Sequence, residues 1–275
     1  PKQINYPEKW KVYRQPNMHF PKWILFPKII LQLIRLTILH PLPVIRFFKL
    51  ERNDGISLRK TTENLFINSH IIGQSLNWLH FGFTTMSIRR ENVAKAIGAK
   101  MAVSLRGYDM NIYPLKHPEC YRQCWEKVDK VHTISDDLHK KALLLGLPRS
   151  KPWQQIPHAI NCENFNHSKE SLFHGGRIRI ITIARLAWIK GYEYALLAMR
   201  LLKNQGIAFQ YDIIGGGEDW ERLHLARYQL NLEKEVHFRG ILNHKKIPET
   251  LRAHDIYLQP SLEEGFCNSV VEAQA

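Results

Sequence analysis

The chain has 275 residues, of which 44% are hydrophobic, with 39 Lys plus Arg against 25 Asp plus Glu. This length and composition exclude a disordered or collagen-like chain and suit one large or two ordinary domains with buried cores. The charge is uneven: residues up to His167 hold 25 basic and 12 acidic side chains, net +13, and the rest hold 14 and 13, net +1. An anionic partner is therefore expected for the first part. The sequence opens on Pro and stops within a helical pattern, so a fragment lacking both ends is the expectation. Cys120, Cys124, Cys162 and Cys267 form no disulfide framework, and a reduced cytoplasmic setting follows as the default.

Residues 1–21 show no period and read as irregular. Trp23–Leu39 is the most apolar stretch, with Lys28, Gln32 and Arg35 on one helical stripe. Pro27 and these charges argue against a membrane span, which needs about 20 apolar residues. The stretch reads either as a core helix with one wet stripe or as a helix in a membrane interface, beside Arg46, Lys49 and Arg52. Pro41 and Pro43 end it.

Helical and strand patterns then alternate. Helices are expected at 62–74, 89–97, 117–127 and 135–145, and strands at 78–81, 101–105 and 131–134. A polar connection, 160–176, follows. The alternation resumes with strands at 178–183, 211–214 and 236–238 and helices at 192–202, 220–230 and 247–253. Tyr194, Leu197, Ala198 and Leu201 share one face of the first of these helices. A short strand at Ile256 leads into Pro-Ser-Leu-Glu-Glu-Gly-Phe-Cys-Asn-Ser-Val-Val-Glu-Ala, which ends in a helix start. The pattern predicts an α/β protein with two Rossmann-like halves, residues 1–165 and 175–275, each built on a parallel sheet.

Three loops leave the carboxyl ends of strands in the second half, where ligands of open α/β sheets collect. The first holds two cations, Arg185 and Lys190, suited to an anion. The second is Gly215-Gly216-Gly217-Glu218, where missing side chains let a ligand approach the backbone. The third holds Glu264 and Glu272, which can accept hydrogen bonds from sugar hydroxyls. Ser269-x-x-Glu272 also fits a capping box, and Glu264 also fits a solvated loop acid. Together the loops describe a site for a nucleotide-diphosphate sugar.

On these residues the second half resembles the donor domain of the family-four (group 1) retaining glycosyltransferases. It shares their Arg-x4-Lys-Gly segment (Arg185–Gly191), Gly-x-Gly-Glu-like loop (Gly215–Glu218) and Pro-Ser-x3-Glu-Gly-Phe-x5-Glu-Ala signature (Pro260–Ala273). The resemblance implies the GT-B fold, in which two Rossmann-like domains turn parallel sheets toward a cleft. It implies that Arg185 and Lys190 hold the diphosphate, that Glu264 and the N–H groups of Gly265 and Phe266 meet the sugar, and that Glu272 meets the ribose. Cys267 and Asn268 open the helix beside them. The first half is similar to the acceptor domain: His80 lies in its His-Phe-Gly strand end, and Arg106-Gly107-Tyr108-Asp109 occupies its His-Gly-x-Asp loop. Arg106 cannot act as a base, though it can bind a phosphate or an acidic sugar.

The implied reaction moves a sugar from a nucleotide diphosphate to an acceptor hydroxyl with retention, in bacterial polysaccharide or lipid-linked glycan synthesis. Both a protein base and a donor phosphate oxygen are compatible destinations for the proton. Neither a cofactor nor a metal is expected: no Asp-x-Asp motif occurs, and His117, Cys120 and Cys124 on one helix lack a fourth ligand. The expected partners are a nucleotide sugar, a glycan or lipid-linked acceptor and an anionic membrane surface at the inner face. The alternative is a non-catalytic nucleotide- or nucleic-acid-binding module, although no nucleic-acid motif accompanies the basic charge.

Overall fold

The computed structural model describes residues 22–165 and 176–275, so the stretch 1–21 and most of the polar connection lie outside the described residues. The chain divides into two compact units, residues 1–156 and 157–275.

In the first unit, α1 (Lys22–Leu39) and α2 (Pro41–Asn53) are followed by α3 (Leu58–Ile67) and α4 (Ser69–Ile72). The strands are β1 (Trp78–Phe81), β2 (Lys100–Leu105), β3 (Lys130–Thr133) and β4 (Trp153–Gln155). Between them lie α5 (Val93–Ile97), a π-helical turn at Tyr108–Ile112, α6 (Tyr113–Lys116), α7 (Arg122–Lys127) and α8 (Asp136–Leu144). The four strands pair in the order β1-β2-β3-β4, every pair parallel. Met101, Val103, Leu105 and Val131 are buried on one face with Leu138 and Ala142 of α8. Ser135 starts α8 as expected, its hydroxyl accepting from Leu138 N at 3.4 Å.

Sequence reasoning missed α2 and β4. Pro41 does more than end α1: it occupies the first turn of α2, where the missing N–H is not needed. β4 carries only Trp-Gln-Gln, all exposed, at the sheet's edge, with Trp153 stacked on His139 at 3.8 Å. No apolar run marks such a strand. The single helix expected at 117–127 is interrupted, with α7 starting only at Arg122, so His117, Cys120 and Cys124 do not share one helix. Among the described residues no group of three or more His, Cys, Asp or Glu is placed to hold a metal.

The core-helix reading of α1 holds only in part, since Leu36 and Leu33 join a core cluster while other apolar side chains of the helix are exposed. Leu36 packs with Val44, Phe47, Leu65 and Ile72, whereas Leu31, Ile34 and Ile38 are 70%, 52% and 72% exposed. Gln32, expected on a wet stripe, faces inward and donates to Ser69 Oγ at 2.5 Å. The side chains of residues 22–26 and 28 lie outside the described residues. No single helix is long and apolar enough to cross a membrane. The pair Ile29–Leu39 and Pro41–Asn53, bent by 113°, passes that test only when taken together.

The second unit has β5 (Ile178–Ile183), α9 (Tyr192–Asn204), β6 (Phe209–Ile214), α10 (Trp220–Gln229), β7 (Val236–Gly240), α11 (Ile247–Arg252), β8 (Ile256–Tyr257) and α12 (Asn268–Gln274). Its sheet order is β7-β6-β5-β8, again all parallel. Tyr194, Leu197, Ala198 and Leu201 do share a face of α9, but that face points outward. Tyr192, Ala195, Leu196 and Met199 are the buried set, and the Tyr192 hydroxyl fixes the rotation by donating to Ala184 O at 3.0 Å.

A charged cluster sits on this sheet. Asp212 on β6 meets His254 Nε2 at 3.2 Å and Arg239 at 3.1 Å. Burial alone would raise the Asp212 carboxyl, but hydrogen bonds from His254 and Arg239 outweigh it and hold the group below its ordinary value. A depressed carboxyl contributes stability above its unfolded pKa, and that stability is lost as pH falls through the folded value. Asp212→Asn should therefore lower urea stability at pH 7 and flatten its decline below about pH 4. An acid limb with the wild-type slope would show that Asp212 does not control it.

Candidate functional site

The loops after β5, β6 and β8 leave the same edge of the second sheet. The loop 184–191 runs through a 3-10 turn at Trp188–Lys190, and Gly191 then adopts φ +64° before α9. A Cβ at Gly191 would lie 2.1 Å from Pro260 O, and one at Gly215 (φ +146°) would lie 1.9 Å from Ala184 O. Backbone bonds complete the junction: Leu186 N donates to Gly216 O at 3.0 Å and Leu262 N to Ile189 O at 2.9 Å. The glycine loop thus serves first to bring protein backbones together, a different use from the ligand approach expected of Gly215. Gly216 faces the Ile241 side chain, and Gly217 faces Leu186.

Lys190 and Glu264, expected to meet different parts of a ligand, are paired with each other at 2.6 Å, with side chains 19% and 26% exposed. The same Glu264 Oε1 accepts from Ser261 Oγ at 2.7 Å and Gln259 Nε2 at 3.1 Å. Behind them the Tyr257 hydroxyl donates to Gln259 Oε1 at 2.7 Å. Burial pushes the Tyr257 phenol up to about 12, so it stays a donor at neutral pH. Arg185 is exposed and makes no ion pair among the described residues.

Glu272 is not the acid of a capping box. The N-cap of α12 is Cys267, which places Ser269 inside the helix, and Glu272 instead meets His244 Nε2 at 2.9 Å. Its side chain is 12% exposed against 75% for His244. Asn268 Oδ1 lies 2.9 Å from His158 Nδ1, and Phe266 contacts the same ring edge-on at 5.7 Å. Gly265 and Cys267 flank Phe266 on this loop. His244, His158, Tyr257, Gln259 and Ser261 were missed in the sequence. His244 and His158 meet their partners across 28 and 110 positions, which no spacing rule reaches, whereas Tyr257, Gln259 and Ser261 bond within the loop itself, Ser261 as part of the Pro-Ser signature.

In the first unit, Arg106 follows β2 and donates to Gly82 O at 3.2 Å beside the Phe83 ring. Asp109 is fully buried. Its carboxylate accepts from Thr84 N at 3.0 Å, Thr85 N at 3.3 Å and Thr85 Oγ1 at 2.8 Å. Burial raises the Asp109 carboxyl against those three bonds. Asp109 thereby fastens the loop after β1 to the turn after β2, with both oxygens occupied. His80 lies one residue before the end of β1; the residue is exposed overall, but desolvation of its ring, then His132 and Arg106 nearby, lower its pKa.

The family profile described as Glycosyl transferases group 1 matches residues 163–275. The amylovoran biosynthesis glycosyltransferase AmsK of Erwinia amylovora is 29% identical over 205 residues, which is 72% of this chain and 50% of that protein. The putative colanic acid biosynthesis glycosyltransferase WcaL of Escherichia coli is also 29% identical, over 71% of this chain and 50% of that one. This chain thus spans about half the length of the curated relatives it matches. Among solved structures, sucrose-phosphate synthase of Thermosynechococcus elongatus superposes with a TM-score of 0.62 at 15% identity, over 79% of this chain and 59% of that one. Anabaena Alr3699/HepE in complex with UDP-glucose superposes with a TM-score of 0.60 at 17% identity, over 72% and 57%. These likenesses show the α/β fold of the GT-B enzymes.

The glycine junction gives a direct test. Gly191→Ala places a methyl group against Pro260 O in a left-handed conformation, which should cost roughly 3 kcal/mol and part the loops. Wild-type urea stability in this variant would show that the junction is looser than the geometry requires.

Proposed function

We propose that the protein, whose residues 163–275 match the group 1 glycosyltransferase family profile, transfers a sugar from a nucleotide diphosphate to a glycan hydroxyl with retention. The observation that carries this reading is the junction of three loops, which brings Lys190 to Glu264 at 2.6 Å with Arg185 on the same loop as Lys190. Arg185 and Lys190 stabilise the negative charge that builds on the departing diphosphate, without calling on a metal. Glu264, released from Lys190 as the diphosphate takes that cation, accepts from a sugar hydroxyl. Glu272 accepts from the ribose, and a phosphate oxygen of the donor takes the acceptor's proton. Uridine is the base to test first, since several solved neighbours are described as complexes with UDP.

The acceptor is a lipid-linked glycan of bacterial polysaccharide assembly, reached from an anionic membrane surface at the inner face. Leu31, Ile34, Ile38, Leu42 and Ile45 stand exposed along α1 and α2. Arg35, Arg46 and Lys49 stand exposed among them, and each such cation near an anionic leaflet contributes about 1 kcal/mol. A basic surface for a nucleic acid is the rival reading, and it does not account for the apolar stripe between these cations.

Three measurements check the reading. Arg185→Ala or Lys190→Ala should each weaken UDP binding in calorimetry by about 1.5–3 kcal/mol, the size of a charged hydrogen bond; unchanged affinity in a folded variant removes that residue from the site. Glu264→Gln should lower turnover while UDP still binds, whereas Glu272→Gln should weaken UDP itself. Equal effects from the two glutamates would contradict their separate roles. Vesicle co-sedimentation should rise with anionic lipid, fall with salt, and drop when Arg35, Arg46 and Lys49 become Gln. Equal, weak pull-down by neutral and anionic vesicles at low salt would rule out membrane docking.

A further inference from the structure

A chain of side chains outside the donor loops crosses the first sheet near the carboxyl ends of its strands. His80 Nε2 on β1 lies 2.9 Å from Ser104 Oγ on β2, and that oxygen lies 2.8 Å from His132 Nδ1 on β3. His132 Nε2 in turn lies 3.0 Å from the carbonyl oxygen of Ile156. The far end sets the polarity, because a carbonyl oxygen only accepts and His132 Nε2 must carry the hydrogen. With both rings neutral, His132 Nδ1 is then an acceptor and takes the one hydroxyl hydrogen of Ser104. The Ser104 oxygen accepts from Nε2–H of His80, which leaves His80 Nδ1 bare. These hydrogen positions are assigned from the network.

Three observations support that assignment. Ser104 is 1% exposed, so its hydroxyl has no water to turn to. Desolvation of its ring and the nearby Arg106 charge oppose protonation of His80, although the residue as a whole is exposed. His80 Nδ1 has no hydrogen-bond partner among the described residues, and His80, Trp78, Lys130, His132 and Gln154 line a groove of about 540 Å³ on this face of the sheet.

We propose that Ser104 and His132 are positioning residues that hold His80 in its Nε2–H tautomer, so that the bare Nδ1 accepts a hydrogen bond from a hydroxyl of the sugar acceptor in this groove. The proposal rests on the glycosyl-transfer reading above and adds to it the side of the acceptor that is gripped. The exposed Trp78 ring at the groove's edge offers a flat apolar surface to a sugar ring.

The test uses the full-length protein with ¹⁵N-labelled histidine at about pH 8.5, two units above the ordinary histidine value. His80 should show the Nε2–H tautomer, and Ser104→Ala should convert it to a mixture. With UDP-sugar donors and a panel of methyl hexosides as acceptors, Ser104→Ala should cut sugar transfer relative to donor hydrolysis by about tenfold, as expected for one lost orienting hydrogen bond. The donor KM should not change, and Ser104→Thr, which keeps the hydroxyl, should recover most of the loss. An Nδ1–H tautomer in the wild type overturns the proposal. So does a Ser104→Ala variant with wild-type tautomer and wild-type transfer-to-hydrolysis ratio. A wild-type protein that turns over no sugar nucleotide strikes the glycosyl-transfer reading itself, and this proposal falls with it. Normal turnover with an unaffected Ser104→Ala variant strikes this proposal alone.

Discussion

The three loops after β5, β6 and β8 are fixed to one another by backbone approaches too close to admit a side chain. Pro260 O lies where a Cβ of residue 191 would be, and Ala184 O where one of residue 215 would be. Only glycine permits either contact, and at φ +64° and +146° glycine also avoids strain. The sheet supplies the frame for this junction. Arg179 binds both Asp255 oxygens, at 3.3 and 3.0 Å, and Thr182 Oγ1 donates to Leu258 O at 2.6 Å, which ties β5 to the two-residue β8. β8 is too short to hold its place by ladder bonds alone, so these side chains determine where the acidic loop begins.

Electrostatics then follow from position. In the free protein, Glu264 collects Lys190, Ser261 and Gln259 on a single oxygen. Such a pair is only partly shielded from water, and breaking it by removing one partner leaves the other poorly satisfied. The contacts on that oxygen therefore hold both side chains in place. Glu272 is arranged differently: a mostly buried acid meets an exposed histidine, so its partner can swing away toward solvent.

Much of this was legible in the sequence where a local rule applied. β1 and β5 run as the apolar patterns indicate, Ser135 caps α8, and Arg185, Lys190, Glu264 and Glu272 all stand on loops at the carboxyl ends of strands or one turn beyond. Local rules failed where tertiary contact decided. The outward face of α9 has helical apolar spacing as regular as the buried one, and tertiary contacts, the packing of Ala195, Leu196 and Met199 and the Tyr192 bond to Ala184, go with the buried one. β4 lacks an apolar signal because it pairs at an edge. The Lys190–Glu264 pair spans 74 positions, and no spacing rule reaches that far.

The first sheet carries a further consequence of the same logic. A parallel sheet packed on both faces reads as a continuous apolar run, whereas β1 alternates. Phe81 is buried while Trp78 and His80 are exposed, and the pattern continues through Val103 against Ala102 and Val131 against Lys130. Period-two alternation leaves one face without an apolar core, and there polar side chains need not be sacrificed to packing. Because neighbouring strands are in parallel register, residues of that face fall in rows, and Ser104 pairs directly with His132 while His80 pairs with Ala102, two residues before Ser104. A hydrogen-bonded row across three strands is thus a product of register, available only to a sheet that keeps one face polar.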